Sequence, residues 1–174
     1  PMAQHETLLI LDFGSQFTQL IARRVREHRV YSEIHAHDFP IEAIRAMAPK
    51  AIVLSGGPDS VYDAEAPGLA PELFQLGVPI LGICYGMQRI ARDLGGQVGP
   101  SSRREYGRAT VDVSGESRLF DGLDAHQTVW MSHGDHVAQA PPGFRAVAST
   151  ESAPVVAIED AERGVYCIQF HPEV

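Results

Sequence analysis

The stretch Pro79-Ile80-Leu81-Gly82-Ile83-Cys84-Tyr85-Gly86-Met87-Gln88 decides how the chain is read. Its apolar run, Ile80 to Ile83, reads as a buried strand. A helical pattern follows at once, with Ile90, Ala91 and Leu94 on one face and Gly95-Gly96 as its stop. Between the two lies Gly82-x-Cys84-x-Gly86, the strand, sharp turn and helix of a nucleophile elbow, with cysteine in place of serine. Such a turn lifts the side chain out of the sheet, and its glycines leave room where a larger residue would clash. The helix N-terminus beneath favours thiolate over thiol, and thiolate is the form that attacks. A lone cysteine in an apolar strand reads as core; two flanking glycines at a strand–helix junction point instead to a nucleophile.

Working outward toward the N-terminus, strands and helices alternate. Leu8–Leu11 is a first buried strand closing at Asp12-Phe-Gly-Ser15. Ser15 is a plausible N-cap for a helix with Phe17, Leu20, Ile21 and Val25 inward and Arg23, Arg24 and Arg26 outward. Val30–Ala36 alternates as a second strand, Ile41, Ile44 and Met47 mark a short helix, and Ala51–Leu54 is a third strand. A further helix is expected after Pro67, with Leu69, Leu73 and Phe74 apolar and Gly77 closing it. The alternation gives an α/β fold with a mostly parallel sheet and right-handed crossovers.

After Gly96 the pattern changes. Arg108–Val113, Thr128–Met131, Phe144–Ser149, Val155–Glu159 and Val165–Phe170 all read as strands, punctuated by Pro141-Pro142-Gly143 and Glu162-Arg163-Gly164. They form either a mixed extension of the same sheet or a small antiparallel layer beside it, and so add antiparallel strands in the C-terminal half. With no repeats or linkers, residues 1–174 read as one domain.

Composition narrows the class. A hydrophobic content of 44% and a charged content of 21% are ordinary for a globular chain. A net charge of −8 without a basic run argues against nucleic acid as a partner. No apolar segment approaches membrane-spanning length and no leader pattern precedes the first strand, so no membrane partner is expected. Two cysteines, Cys84 and Cys167, make no disulfide framework, and a reducing cytoplasm is the expected location.

A nucleophilic cysteine needs a base, and an oriented base needs a third group. Of eight histidines, His171 follows a strand end, where α/β active sites gather. Glu173 lies two residues on, and in an extended segment i and i+2 share a face, so its carboxylate can fix the imidazole tautomer. A surface His-Pro-Glu turn is the competing reading of the same spacing. Ser55-Gly-Gly-Pro58 follows the neighbouring strand; there the Gly57 amide, with that of Tyr85, can form an oxyanion hole, although the tetrapeptide taken alone is a tight turn. Ser55-Gly-Gly-Pro-Asp-Ser60 also resembles the phosphate loop of ATP pyrophosphatases, but that loop must open a helix. Here Pro58 removes an amide and an acidic, proline-broken segment follows. Asp12-Phe-Gly14 has no kinase context, and His35-x-His37 and His133-x-x-His136 lack further ligands at useful spacing, so no metal site is expected. Cys167, among apolar neighbours, reads as core.

Together these residues resemble the class I (triad) glutamine amidotransferases. Leu81-Gly-Ile-Cys-Tyr-Gly-Met-Gln88 is similar to the family's nucleophile motif and Gln169-Phe-His-Pro-Glu173 to its His/Glu motif. Leu11-Asp-Phe-Gly-Ser-Gln-Phe-Thr-Gln-Leu-Ile-Ala-Arg-Arg-Val25 and Val129-Trp-Met-Ser-His-Gly-Asp135 narrow the resemblance to the members that aminate XMP to GMP. It implies a flavodoxin-like fold, Cys84 as nucleophile, His171 as acid/base, Glu173 as its orienting partner, and Gly57 and Tyr85 as oxyanion donors. It also implies that Gln88 and the Ser132-His133-Gly134-Asp135 loop hold the amino-acid end of L-glutamine, with Asp135 on the α-ammonium. No cofactor is implied for this domain. ATP and magnesium would belong to a partner synthetase, an ATP pyrophosphatase domain or subunit acting on XMP. That domain, a dimerisation domain and the family's continuation past Val174 lie outside this sequence. Two rivals remain. A stand-alone γ-glutamyl hydrolase would have to accept groups on the α-amine that Asp135 should exclude, and a non-catalytic glutamine-sensing subunit would bind without turnover.

Overall fold

The computed structural model describes residues 5–174. In chain order the elements are β1 (Thr7–Asp12), α1 (Thr18–Glu27), β2 (Tyr31–Ala36), α2 (Ile41–Met47), β3 (Ala51–Leu54), β4 (Ile80–Ile83), α3 (Tyr85–Asp93), β5 (Gln97–Val113), β6 (His126–Gln139), β7 (Arg145–Ser149), β8 (Ala157–Asp160) and β9 (Val165–Ile168). Their strands form one sheet in the order β2-β1-β3-β4-β9-β8-β7-β5-β6. From β2 to β9 the neighbours are parallel; from β9 to β6 they are antiparallel. The second half therefore extends the first rather than forming a separate layer.

The unbroken apolar runs of β1, β3 and β4 follow from burial on both faces. Successive side chains point to opposite sides of a strand. Leu9, Leu11, Ile52, Leu54 and Ile80 accordingly join one core with Tyr85, Met87 and Ile90. Ile10, Val53 and Ile83 join the other with Ile21 and Ala22 of α1. On α1, Arg23, Arg24 and Arg26 point away from these cores, as the periodicity requires.

Several local expectations are corrected. The helix expected after Pro67 is only a 3-10 turn, Pro71–Gln75, with Leu73 buried. Proline-rich sequence on both sides leaves too few residues for a full helix, and the segment is held from below, Tyr85 Oη donating to the Pro67 carbonyl and Arg92 to that of Val61. Ser15 does not cap α1; its Oγ accepts the Phe17 amide at 3.0 Å in a preceding turn, and the helix starts at Thr18. The strands expected at Arg108–Val113 and Thr128–Met131 grow into the long β5–β6 hairpin, whose register slips between Pro100 and Glu105. The Ser132–Asp135 segment lies inside β6, where a loop was expected. Finally, β9 ends at Ile168 rather than Phe170.

Candidate active site

Cys84 sits between β4 and α3 with φ +53° and ψ −107°, a backbone conformation that a side-chain-bearing residue adopts only under constraint. Its amide donates to the Ile168 carbonyl at 2.8 Å, tying the elbow to β9. The glycines are demanded by packing. A Cβ on Gly82 would fall 2.7 Å from Ile90 Cδ1, and one on Gly86 2.7 Å from the Leu54 carbonyl oxygen. The Gln88 amide reaches back to the Cys84 carbonyl at 3.1 Å. The amides ahead of it, Tyr85 first, belong to the first turn, whose N–H groups have no partner within the helix.

Beyond the end of β9, His171 is held by its own amide, which donates to the Trp130 carbonyl of β6 at 2.9 Å. Its Nδ1 lies 2.7 Å from Glu173 Oε1, and both side chains are buried. The pairing arises from a turn, closed by the Val174 amide on the His171 carbonyl at 3.4 Å, and not from the pleat that spacing alone suggests. From α1, Arg24 Nε donates to the Glu173 carbonyl at 3.1 Å, so one residue of the outward arginine face fixes this turn. With Nδ1 on the carboxylate, Nε2 is left for the thiol. Gly56 forms the floor under both: a Cβ there would lie 3.0 Å from His171 Cε1 and 3.4 Å from Cys84 Cβ. Burial disfavours the charged imidazole, but hydrogen bonds to Cys84 and Glu173 and the charges of both outweigh it, and His171 is raised to about 9. At neutral pH the ring is an imidazolium beside the sulfur.

Two clefts meet at Cys84. One, of about 340 Å³, is lined by Gly57, Gln88, Arg104, Ser132 and Asp135. The other, of about 320 Å³, passes Gly14, Phe17 and His171. Gly57 borders both, and a Cβ on it would strike the Phe13 carbonyl oxygen at 2.3 Å. A larger hollow, about 660 Å³, lies by Glu116, Arg118 and Arg145. Its buried carboxylate, Glu159, is already satisfied by Ser117 Oγ and the Arg118 amide.

The residues expected on the amino-acid end divide by what is free. Ser132 and Asp135 border the first cleft, and the Ser132 carbonyl oxygen lies 3.5 Å from Cys84 Sγ. Gln88 is buried, its Nε2 donating to the Asp135 carbonyl at 3.1 Å. The His133 ring is turned into the sheet, with Nδ1 2.7 Å from the Asp135 carbonyl oxygen and Nε2 3.2 Å from Glu105 Oε1. Only its backbone, with that of Gly134 beneath the Arg104 side chain, is left to the cleft. Two further residues given no role from the sequence join the site: Arg104, and the fully buried Gln169 of the His/Glu motif. The signal for Gln169 was a carboxamide in an otherwise apolar segment, Val165 to Phe170. No helix among the described residues is long and apolar enough to cross a membrane.

Comparison with known proteins places the chain in a family. The model of the class-I glutamine amidotransferase family matches residues 9–174. The chain is 54% identical to a GMP synthase (glutamine-hydrolyzing) of Enterococcus faecalis, over 97% of its own length and 32% of that relative. To the GMP synthase (glutamine-hydrolyzing) of Thermobifida fusca it is 55% identical over its whole length and 33% of the relative. The chain thus spans about a third of the length of the curated relatives it matches. A crystal structure from Thermoplasma acidophilum, of a protein proposed to be one of the subunits of a GMP synthase, superposes with a TM-score of 0.83 at 30% identity, covering 99% of this chain and 86% of the other. A glutamine amidotransferase of Thermotoga maritima shares the fold, with a TM-score of 0.77 at 24% identity over 99% and 78% of the two chains. This chain therefore belongs to the class-I glutamine amidotransferase family.

Proposed function

We propose that the chain is the glutaminase part of a GMP synthase, releasing ammonia from L-glutamine through Cys84, His171 and Glu173. The observation that carries the reading is the buried alignment of the three: a cysteine raised on a strained elbow, an imidazole bordering the same cleft, and a carboxylate 2.7 Å from the imidazole Nδ1. In this reading the Cys84 thiolate attacks the carboxamide carbon of glutamine. The resulting oxyanion rests on the Gly57 and Tyr85 amides. His171 protonates the departing nitrogen, the C–N bond breaks, and ammonia leaves a glutamyl thioester on Cys84. The neutral imidazole then takes a proton from water, whose oxygen attacks the thioester. The C–S bond breaks, glutamate leaves, and thiolate and imidazolium are restored. Glu173 keeps Nδ1 protonated throughout.

Gln88 and the Ser132-His133-Gly134-Asp135 strand hold the amino-acid end, with the Asp135 carboxylate suited to the α-ammonium. A carboxylate there disfavours substrates acylated on that nitrogen, which sets the reading apart from a γ-glutamyl peptide hydrolase. The chain needs no cofactor for these steps. Ammonia serves a synthetase part, on the same polypeptide or a separate one, that holds ATP and magnesium and aminates XMP to GMP in the cytoplasm. Support for this partner comes from relatives three times as long that carry the GMP synthase name.

The test is mass spectrometry after incubation with diazo-oxo-norleucine, a glutamine-shaped electrophile, beside a Cys84→Ala control. A single adduct on Cys84, blocked by glutamine and absent from the control, is expected. Labelling of Cys84 that glutamine does not block would overturn the reading.

A further inference from the structure

We propose that Gln169 is a further catalytic residue of this site: its side-chain N–H donates to the Cys84 sulfur and favours the thiolate. The inference rests on Cys84 being the nucleophile proposed above. Gln169 Nε2 lies 3.5 Å from Cys84 Sγ, and the residue has no exposed surface.

Which end of the carboxamide faces the sulfur is fixed by its neighbours. The Asp135 carbonyl can only accept, so the Gln88 group 3.1 Å from it is Nε2. That same Nε2 lies 3.3 Å from the Gln169 side chain, which must present its oxygen there. The remaining end, –NH₂, is the one left for Cys84. The Asp135 carbonyl also takes His133 Nδ1 at 2.7 Å; His133 Nε2 meets Glu105 at 3.2 Å, and Glu105 takes Thr150 Oγ1 at 3.1 Å. A continuous chain of hydrogen bonds thus runs from Thr150 to the thiol, and reversing the Gln169 amide would set oxygen against sulfur and nitrogen against nitrogen.

The chemistry follows from what surrounds the sulfur. The Ser132 carbonyl, 3.5 Å away, can accept from a thiol S–H but only repels a thiolate. A donor on another side reverses that bias, because a thiolate accepts hydrogen bonds strongly and a thiol weakly. His171 is one such donor, but it gives its proton to the leaving nitrogen during turnover. Gln169 has no proton to give and stays a donor through every step, including the stage when the thioester breaks and the thiolate re-forms. A buried carboxamide in an apolar segment is costly to desolvate; a bond to a transient charge is a use that an apolar residue cannot replace.

The alkylation rate of Cys84 by iodoacetamide against pH tests this without requiring glutamine to bind. In Gln169→Met, the curve should be displaced upward by about one pH unit, so that the rate on its rising limb falls about tenfold, the effect of removing one hydrogen bond to a charged group. Thermal melting identifies folded protein. Should Gln169→Met not fold, Gln169→Glu keeps the shape and the acceptor toward Gln88 while placing carboxylate oxygen at the sulfur, and the same direction is expected. A role confined to supporting Gln88 would raise KM for glutamine and leave alkylation untouched. An unchanged alkylation curve in either folded variant overturns the proposal. If wild-type Cys84 reacts no faster than a cysteine in denatured protein, the nucleophile assignment itself has failed, which the wild-type curve alone reveals.

Discussion

The two cysteines lie in and just beyond neighbouring strands of one sheet, and exposure does not tell them apart: Cys84 is 5% exposed and Cys167 0%. Cys167 is inside β9, opposite Gly82 of β4, with regular backbone on either side. Burial pushes its thiol far above the ordinary range, only partly offset by a hydrogen bond from the Gly82 backbone. Cys84 is one residue past the end of β4, at a positive φ, at the head of α3, with a donor imidazole and a donor carboxamide beside it. Side-chain chemistry and depth are shared; what differs is one step of backbone and the donors that step brings within reach. In the proposed function, reactivity is a property of the elbow.

The largest expected effect sharpens that contrast. Cys84→Ala should reduce glutamate release from glutamine by at least about 10³-fold, since no other group in the cleft can form the thioester. Cys167→Ala should leave kcat within about twofold and lower stability by about 1 kcal/mol for the small cavity it opens. Steady-state kinetics and thermal melts on both variants check this. A comparable loss of activity in Cys167→Ala would break the comparison.

The next effect concerns the imidazole that only Cys84 has. His171 titrates near 9, above its ordinary 6.5, through burial opposed and outweighed by Cys84 and Glu173. In the proposed reaction acylation requires the protonated ring as acid, so kcat/KM should fall as pH rises through about 9. The stability consequence has the same sign. A group more basic in the folded state contributes fully below its unfolded value, and the contribution is lost as pH rises from about 6.5 to about 9. Wild type and His171→Asn should therefore differ in melting temperature most below pH 6.5 and converge above 9. A gap that widened with pH would mean that the ring is neutral in the folded protein.

Much of this was legible in the sequence, for physical reasons that also mark where legibility stops. The elbow is readable because Gly82 and Gly86 are forced by backbone-to-backbone approach, which leaves the same mark in any such turn. The β1, β3 and β4 runs are readable because burial on two faces removes polar residues altogether. The β5–β6 hairpin is not, because Pro100, Gly99 and Gly107 interrupt β5 around the slip in its register, erasing the alternation that marks a strand. The Pro67 helix fails for the opposite reason: Leu69, Leu73 and Phe74 carry helical spacing, yet tertiary ties to Tyr85 and Arg92 and the flanking prolines leave one turn. Gln169 and Arg24 escape a linear reading because each acts across the fold, on Cys84 85 residues away and on Glu173 149 residues away. The His171–Glu173 pair was found by spacing, although a turn rather than a pleat brings the two together.

The smallest effect separates two glycines as the first separated two cysteines. Gly82 lies between the cysteines and faces structure: a methyl there meets Ile90 Cδ1 at 2.7 Å and the Gly86 backbone at 2.8 Å. Because α3 cannot move off the sheet without opening the core, Gly82→Ala should cost about 1–3 kcal/mol of stability. Gly56 faces the reacting pair instead, where a methyl meets His171 Cε1 at 3.0 Å and Cys84 Cβ at 3.4 Å. An imidazole can yield by a few tenths of an ångström at little cost in stability, but it is the group that must reach the leaving nitrogen, and a misplacement of about 1 Å costs about 10²-fold. Gly56→Ala should accordingly lower kcat by about three- to fivefold with the melting temperature nearly unchanged. Parallel melts and kinetics on the two variants read both numbers. If Gly56→Ala lost stability as Gly82→Ala does while retaining full kcat, the floor beneath His171 and Cys84 would be a packing surface only, and the division between structural and reactive sides of the elbow would have to be redrawn.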